Sequence, residues 1–223
     1  MSIKTLHFLH IGKTGGTAFK HAVSSYQVEK FNVKLHPHGV TLKDIPEGEK
    51  VIFFLRDPVR RFESGFYSRK RRGQPRYFSE WSEAEKIAFE HFNDSLDLVH
   101  AANDESNAKH SLALAALDSI EHVRNHFTDW LISTDYIKER ESDIFYVGFQ
   151  ETLENDFSII KGMLGLPDEL SLPRDDVNAH KNPVNDKPEL DQESINFLKG
   201  IYSVDYDIYE FCARRFSNNM TLS

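Results

Sequence analysis

The most constraining stretch is the junction over residues 6–19. A short, mainly apolar run, Leu6–Ile11, passes through Gly12-Lys13-Thr14-Gly15-Gly16-Thr17 into a pattern with Ala18, Phe19, Ala22 and Val23 at helical spacing. Strand, glycine-rich turn, helix is the opening unit of an open α/β sheet. Paired glycines let the backbone take positive φ and approach a ligand closely. The helix start offers N–H groups without intrahelical acceptors and the positive end of a dipole. Lys13 adds a cation, and Thr14 and Thr17 add hydroxyl donors. Such a turn suits a phosphate or sulfate group. The competing reading is a plain strand-to-helix turn with a solvated lysine. A Walker A loop would need glycine where His7 stands, so that pattern fails.

The rest of the chain repeats the same grammar. Val51–Leu55 (Val-Ile-Phe-Phe-Leu) is too short for a helix and reads as a buried parallel strand. Ile144–Phe149 is a third strand candidate and Phe31–Leu35 a weaker fourth. Between them lie helical patterns over Thr14–Tyr26, from Pro58 with Asp57 as cap, after a Ser82/Glu85 capping box, and over Leu112–Val123. A stripe of Leu153, Phe157, Ile160 and Leu164 stops at Gly165, and a helical segment over Gln192–Phe216 closes the chain. Its tyrosines Tyr202, Tyr206 and Tyr209 read as packing. Together these elements predict one α/β domain over 1–223, a doubly wound parallel sheet flanked by helices. The Pro-, Asn- and Asp-rich stretch over about 167–193 reads as a long lid-like loop.

Net charge is −8, so a general affinity for nucleic acid is not expected, and any anion site must come from local basic groups. The single cysteine, Cys212, permits no internal disulfide and reads as inert packing. No window approaches the ~18 apolar residues of an integral membrane segment. No signal peptide is visible behind Met1, so a cytoplasmic protein is expected.

The second motif is Arg56-Asp57-Pro58 with Ser64 eight residues after the arginine. Arg56 ends the Val51–Leu55 strand, at the edge where open α/β sheets bind ligands. Its planar fork suits phosphate oxygens, and Ser64, two turns into the next helix, adds a donor. The alternative is that Arg56 pairs with Asp57 or another carboxylate.

The two segments resemble the nucleotide-binding signatures of the PAPS-dependent sulfotransferase superfamily, PAPS being 3′-phosphoadenosine 5′-phosphosulfate. Lys13-Thr14-Gly15-Gly16-Thr17 is similar to the 5′-phosphosulfate loop, and Arg56 with Ser64 to the 3′-phosphate signature. The nearest flavour is the carbohydrate type, including heparan sulfate 2-O-sulfotransferases and bacterial relatives. Gly12 stands where proline is usual. The resemblance implies a P-loop-like fold and a helical acceptor-side subregion over about 78–134. It also implies transfer from PAPS to an acceptor hydroxyl, with PAP as product and no metal. The type of resemblance favours a carbohydrate acceptor. Nucleotide contacts would come from Gly12, Lys13, Thr14, Gly15, Gly16, Thr17, Ala18, Arg56 and Ser64, with Lys181 reaching in from the long loop. Lys13 would stabilise the leaving oxygen.

Leu35-His36-Pro37-His38-Gly39-Val40 lies between the motifs. An imidazole suits a general base at neutral pH. The family's His-Gly-His-Val segment matches best at His38, while the intervening Pro37 leaves His36 open as the alternative. The basic run Arg69–Arg72 with Arg76 reads either as an attractor for an anionic acceptor or as a solvated helix end. Trp81, Phe89, Phe92, His110 and Trp130 read as pocket wall or core. Two other functions stay in view: a P-loop-type kinase or ATPase, and a non-catalytic PAP-binding module. The motifs name neither the acceptor nor an oligomeric state.

Overall fold

A computed structural model describes residues 4–28, 31–175, 177–178 and 187–216. In chain order the elements are β1 (Lys4–Leu9), α1 (Gly16–Val23), β2 (Phe31–Leu35), β3 (Lys50–Leu55), α2 (Pro58–Lys70), α3 (Glu83–His91) and α4 (Ser95–Asn103). There follow α5 (His110–Ser119), α6 (Thr128–Leu131), α7 (Thr134–Glu139), β4 (Ile144–Phe149), α8 (Leu153–Leu164), α9 (Gln192–Ile201) and α10 (Ser203–Phe216). They divide into two compact units. One comprises 1–57, 126–180 and 204–223, and the other 58–125 and 181–203.

The first unit is an α/β layer. Its four strands are all parallel, in the order β2-β1-β3-β4. Alternation along β3 sorts the core into two layers, because successive side chains leave opposite faces. Val51, Phe53 and Leu55 join Leu9, Val147 and Phe149 against Phe127, Trp130, Ile137, Ile208 and Cys212. Ile52 and Phe54 join Leu6 and Phe8 against Phe19 of α1 and Phe157, Ile160 and Leu164 of α8. A strand covered on both faces has no polar side to display, which is why Val-Ile-Phe-Phe-Leu is continuous. Phe8, Phe19 and Phe54 form an aromatic cluster with centroids 4.5–5.5 Å apart. Burial pushes the Cys212 thiol pKa up, so it stays an unreactive part of this core.

The second unit is helical. Phe66 packs edge-on against Phe89 and tilted against Phe62, which leans on Tyr202. At its centre lies a charge pair. Arg69 donates from Nε and Nη2 to the two oxygens of Glu85, each at 2.7 Å, with both side chains buried. Glu85 also accepts from the Ser82 N–H, closing the expected capping box of α3, and from the Glu121 N–H. Arg71 donates to the Tyr67 and Gln74 carbonyls, and Arg72 stacks over Trp81 at 4.2 Å. The basic run is therefore largely built into this unit, whereas Arg76 is exposed.

Several boundaries differ from the sequence reading. The first strand ends at Leu9, not Ile11, because the backbone turns to reach positive φ at Lys13. The Leu112–Val123 helix runs instead over His110–Ser119. Residues beyond it fold into a turn in which Asn125 holds the His122 N–H and the Glu121 N–H serves Glu85. The closing segment is two helices. Tyr202 leaves helical backbone to bury its ring and donate its hydroxyl to the Val123 carbonyl. The α8 stop falls at Gly165, at φ 68°. Among the described residues, no helix is long and apolar enough to cross a membrane.

Candidate active site

All four strands point the same way, so their carboxyl ends share one edge. The chain leaves β1 towards β2 on one side, while β3 lies on the other. The ends of β1 and β3 thus flank the point where strand order reverses, the usual ligand crevice of such sheets. The turn after β1 carries Gly12–Thr17, and the residue after β3 is Arg56.

The turn is sharply shaped. Lys13 and Gly15 both have positive φ, 68° and 92°. Gly15 caps α1, and Gly16 is its first residue. A Cβ on Gly16 would lie 2.5 Å from His10 Cδ2, so only glycine lets the helix start this close to β1. Helix geometry leaves the N–H groups of Gly16, Thr17 and Ala18 without intrahelical acceptors. Thr14 is buried, and its hydroxyl donates to the Ile11 carbonyl at 2.9 Å, so that side chain braces the turn. Arg56 Nη1 donates to the Lys13 carbonyl at 3.4 Å, which brings the second motif onto the first.

The strand end beside Arg56 is held from behind. The Asp57 N–H donates to Glu151 Oε1 at 2.9 Å, the Tyr206 hydroxyl donates to Asp57, and Tyr209 reaches Glu151 at 3.5 Å. Tyr206 and Tyr209 are thus more than packing residues, because their hydroxyls fix the carboxylates that set this corner. Ser64 lies on α2, half-buried. Lys181 falls outside the described residues, as do 176, 179, 180 and 182–186 of the 167–193 loop.

The two histidines have different surroundings. His36 is drawn into a stack: its Nε2 lies 2.7 Å from Nδ1 of buried His7, whose Nε2 lies 2.5 Å from Glu49. Glu49 is held below the usual carboxylate range by the His7 hydrogen bond, so it accepts. His7 therefore donates from Nε2 to Glu49, and its Nδ1 is hydrogen-bonded to His36 Nε2.

His38 lies over the β1 turn. Its ring is exposed, 3.8 Å from the His10 ring by centroids, and its Nδ1 is 3.2 Å from the His10 carbonyl. A carbonyl only accepts, so Nδ1 carries the proton and Nε2 keeps its lone pair. Loss of hydration against its neighbours lowers the His38 pKa most, opposed by the His10 hydrogen bond, and the cations Lys20 and Lys13 lower it further. An imidazole disfavoured from protonating by partial loss of hydration and by Lys20 and Lys13 within electrostatic reach is equipped to take a proton.

Lys20 and His10 carry no signal in the sequence. Lys20 donates to the His36 carbonyl at 2.9 Å and sits within electrostatic reach of His38. A lysine one turn into an amphipathic helix looks like a solvated face. His10 offers its backbone carbonyl to His38 Nδ1 and packs its ring against the His38 ring, contacts that only the fold brings about.

A family model described as the sulfotransferase family matches residues 4–212. No curated protein matches the chain.

Proposed function

The chain belongs to the sulfotransferase family, and on that premise we propose that it moves a sulfuryl group from PAPS to an acceptor hydroxyl, on a carbohydrate, with His38 as general base. The observation that carries this is the meeting of Lys13, Arg56 and His38 at the β1 turn.

The donor set fits a polyanionic nucleotide: a helix start, a lysine at positive φ, and a guanidinium resting on that lysine's carbonyl. Backbone N–H groups of Gly15, Gly16, Thr17 and Ala18, with Gly12 and Thr14 shaping the turn, would hold the 5′-phosphosulfate. Arg56 would hold the 3′-phosphate, with Ser64 and Lys181 added on the resemblance alone. PAPS would supply the sulfuryl group and leave as PAP.

The protein's own tasks are then two. His38 Nε2 takes the acceptor's proton as the hydroxyl oxygen bonds to sulfur. The Lys13 ammonium faces the phosphate oxygen that gains charge as its bond to sulfur breaks. Positioning and electrostatics dominate such transfers, as they do for phosphoryl groups. His36, whose ring is stacked on buried His7 and hydrogen-bonded to it, is the weaker candidate for the base because it is held away from the β1 turn that carries Lys13.

The test is PAP release from PAPS, measured against pH with a panel of oligosaccharides that includes uronic-acid-containing chains. The base works when neutral, so protonation abolishes activity. With its pKa held below the 6.5 of a solvated imidazole, His38 keeps its basic form to lower pH than a free imidazole, and the acid limb of kcat/KM lies below 6.5. An acid limb above 6.5 would remove His38 from this role. No PAP release with any acceptor in the panel would count against the carbohydrate reading.

A further inference from the structure

His38 sits on a turn that has no regular secondary structure of its own, yet a general base must be held within hydrogen-bond reach of the proton it takes. The turn is pinned along its length. At its start, the His36 N–H donates to the Phe8 carbonyl at 3.1 Å, and Lys20 holds the His36 carbonyl at 2.9 Å. At its end, Val40 closes back on the Pro37 carbonyl and packs against the core layer that contains Trp130. Midway, the Trp130 indole Nε1–H donates to the backbone carbonyl of His38 itself, at 2.6 Å.

Trp130 lies on α6, 6% exposed, in the layer that also holds Phe53, Leu55 and Phe149 of the sheet. Its ring is therefore fixed by packing, and its one polar atom is directed at the residue that bears the base. A buried indole N–H needs an acceptor, and many backbone carbonyls would serve. This one fixes the peptide from which the His38 side chain springs, while the His10 carbonyl fixes its Nδ1. Two hydrogen bonds, one at each end of the residue, set where Nε2 points.

We infer that Trp130 is the positioning residue for His38, transmitting the rigidity of the sheet core to the base through the His38 carbonyl. The inference rests on the assignment of His38 as base only for its kinetic consequence; the coupling between the two side chains stands apart from it.

The test is therefore spectroscopic first. The chain has two tryptophans, Trp81 and Trp130. A Trp81→Phe variant assigns the Trp130 indole N–H resonance, which is expected to move with the titration of the His38 imidazole, followed at its Cε1–H. In Trp130→Phe, which keeps an aromatic ring but loses the donor, the His38 pKa is expected to rise towards 6.5 and its single-tautomer signature to fade. PAP affinity by calorimetry should not change. Turnover with any acceptor found should fall on the order of 10²-fold, through kcat more than KM. A folded Trp130→Phe protein with unchanged His38 titration overturns the inference. If that variant does not fold, an indole resonance in the parent that ignores His38 titration overturns it equally. Correct spectroscopic coupling without PAP turnover would uphold the positioning and count against the sulfotransferase reading alone.

Discussion

His38→Ala is expected to lower sulfuryl transfer by about 10²–10⁴-fold while leaving PAP affinity unchanged, and His36→Ala to cost much less. At ~1.36 kcal/mol per tenfold, that loss is about 3–5 kcal/mol of transition-state stabilisation. The separation follows from how the two rings are used. His38 has Nδ1 bound to the His10 carbonyl and an exposed ring. His36 has Nε2 bound to His7, which is itself bound to Glu49. Removing His38 removes the proposed proton acceptor but none of the proposed phosphate donors, so the nucleotide should still bind. Removing His36 disturbs a stack at the start of the turn. Initial rates of PAP release at saturating PAPS, with calorimetric PAP binding beside them, distinguish the two. Equal losses in both variants would put the base at His36 or make the pair act as one.

Glu85→Ala is expected to lower stability by about 3 kcal/mol, because it removes the bidentate partner of buried Arg69 and leaves only the half-exposed Glu121 carboxylate, 3.5 Å from Nε, to face that charge. Arg69 has its Nε and Nη2 on Glu85, with Nη2 also at the Glu80 carbonyl, so no solvent is at hand to take over. Such a loss is a large fraction of the roughly 5–15 kcal/mol that holds a domain folded. Replacing both partners with apolar residues of similar volume should cost less than either single change. The pair also gives acid sensitivity. Burial pushes the Glu85 carboxyl up, but Arg69 and the Ser82 and Glu121 N–H groups outweigh it and hold the group below its ordinary 4.5. Its contribution is therefore present above pH 4.5 and lost as pH falls through the lower folded-state value. Urea unfolding at several pH values checks both points; a Glu85→Ala midpoint equal to that of the parent would contradict them.

The sheet was legible because its strands are covered on both faces. Val51–Leu55 carries no polar residue, and nothing but a short buried strand accommodates that. The α8 stop was legible because Gly165 takes the left-handed backbone that ends a helix. The glycine-rich loop was legible because its chemistry is local: two glycines, a lysine and a helix start within a few residues. The environment of the histidines was not, since His38 is oriented by groups 28 and 92 residues away and His36 is engaged by one 29 away. Trp130 could be read only as wall or core, and the link from its indole N–H to the His38 carbonyl has no sequence signature. The basic run looked like a surface feature because nothing nearby in sequence marks Glu85 as the acid that buries Arg69. The split of the closing helix at Tyr202 depends on the Val123 carbonyl, 79 residues away along the chain.

The proposed sulfuryl transfer depends on the β1 turn and Arg56 forming a nucleotide site for PAP. The decisive experiment is a calorimetric titration with PAP in the absence of metal, beside ATP with and without Mg²⁺, repeated on Arg56→Ala. Metal-independent PAP binding that collapses in Arg56→Ala is expected, because the guanidinium resting on the Lys13 carbonyl is the proposed anchor for the second phosphate. No PAP binding, or ATP preferred only with Mg²⁺, would contradict that assignment.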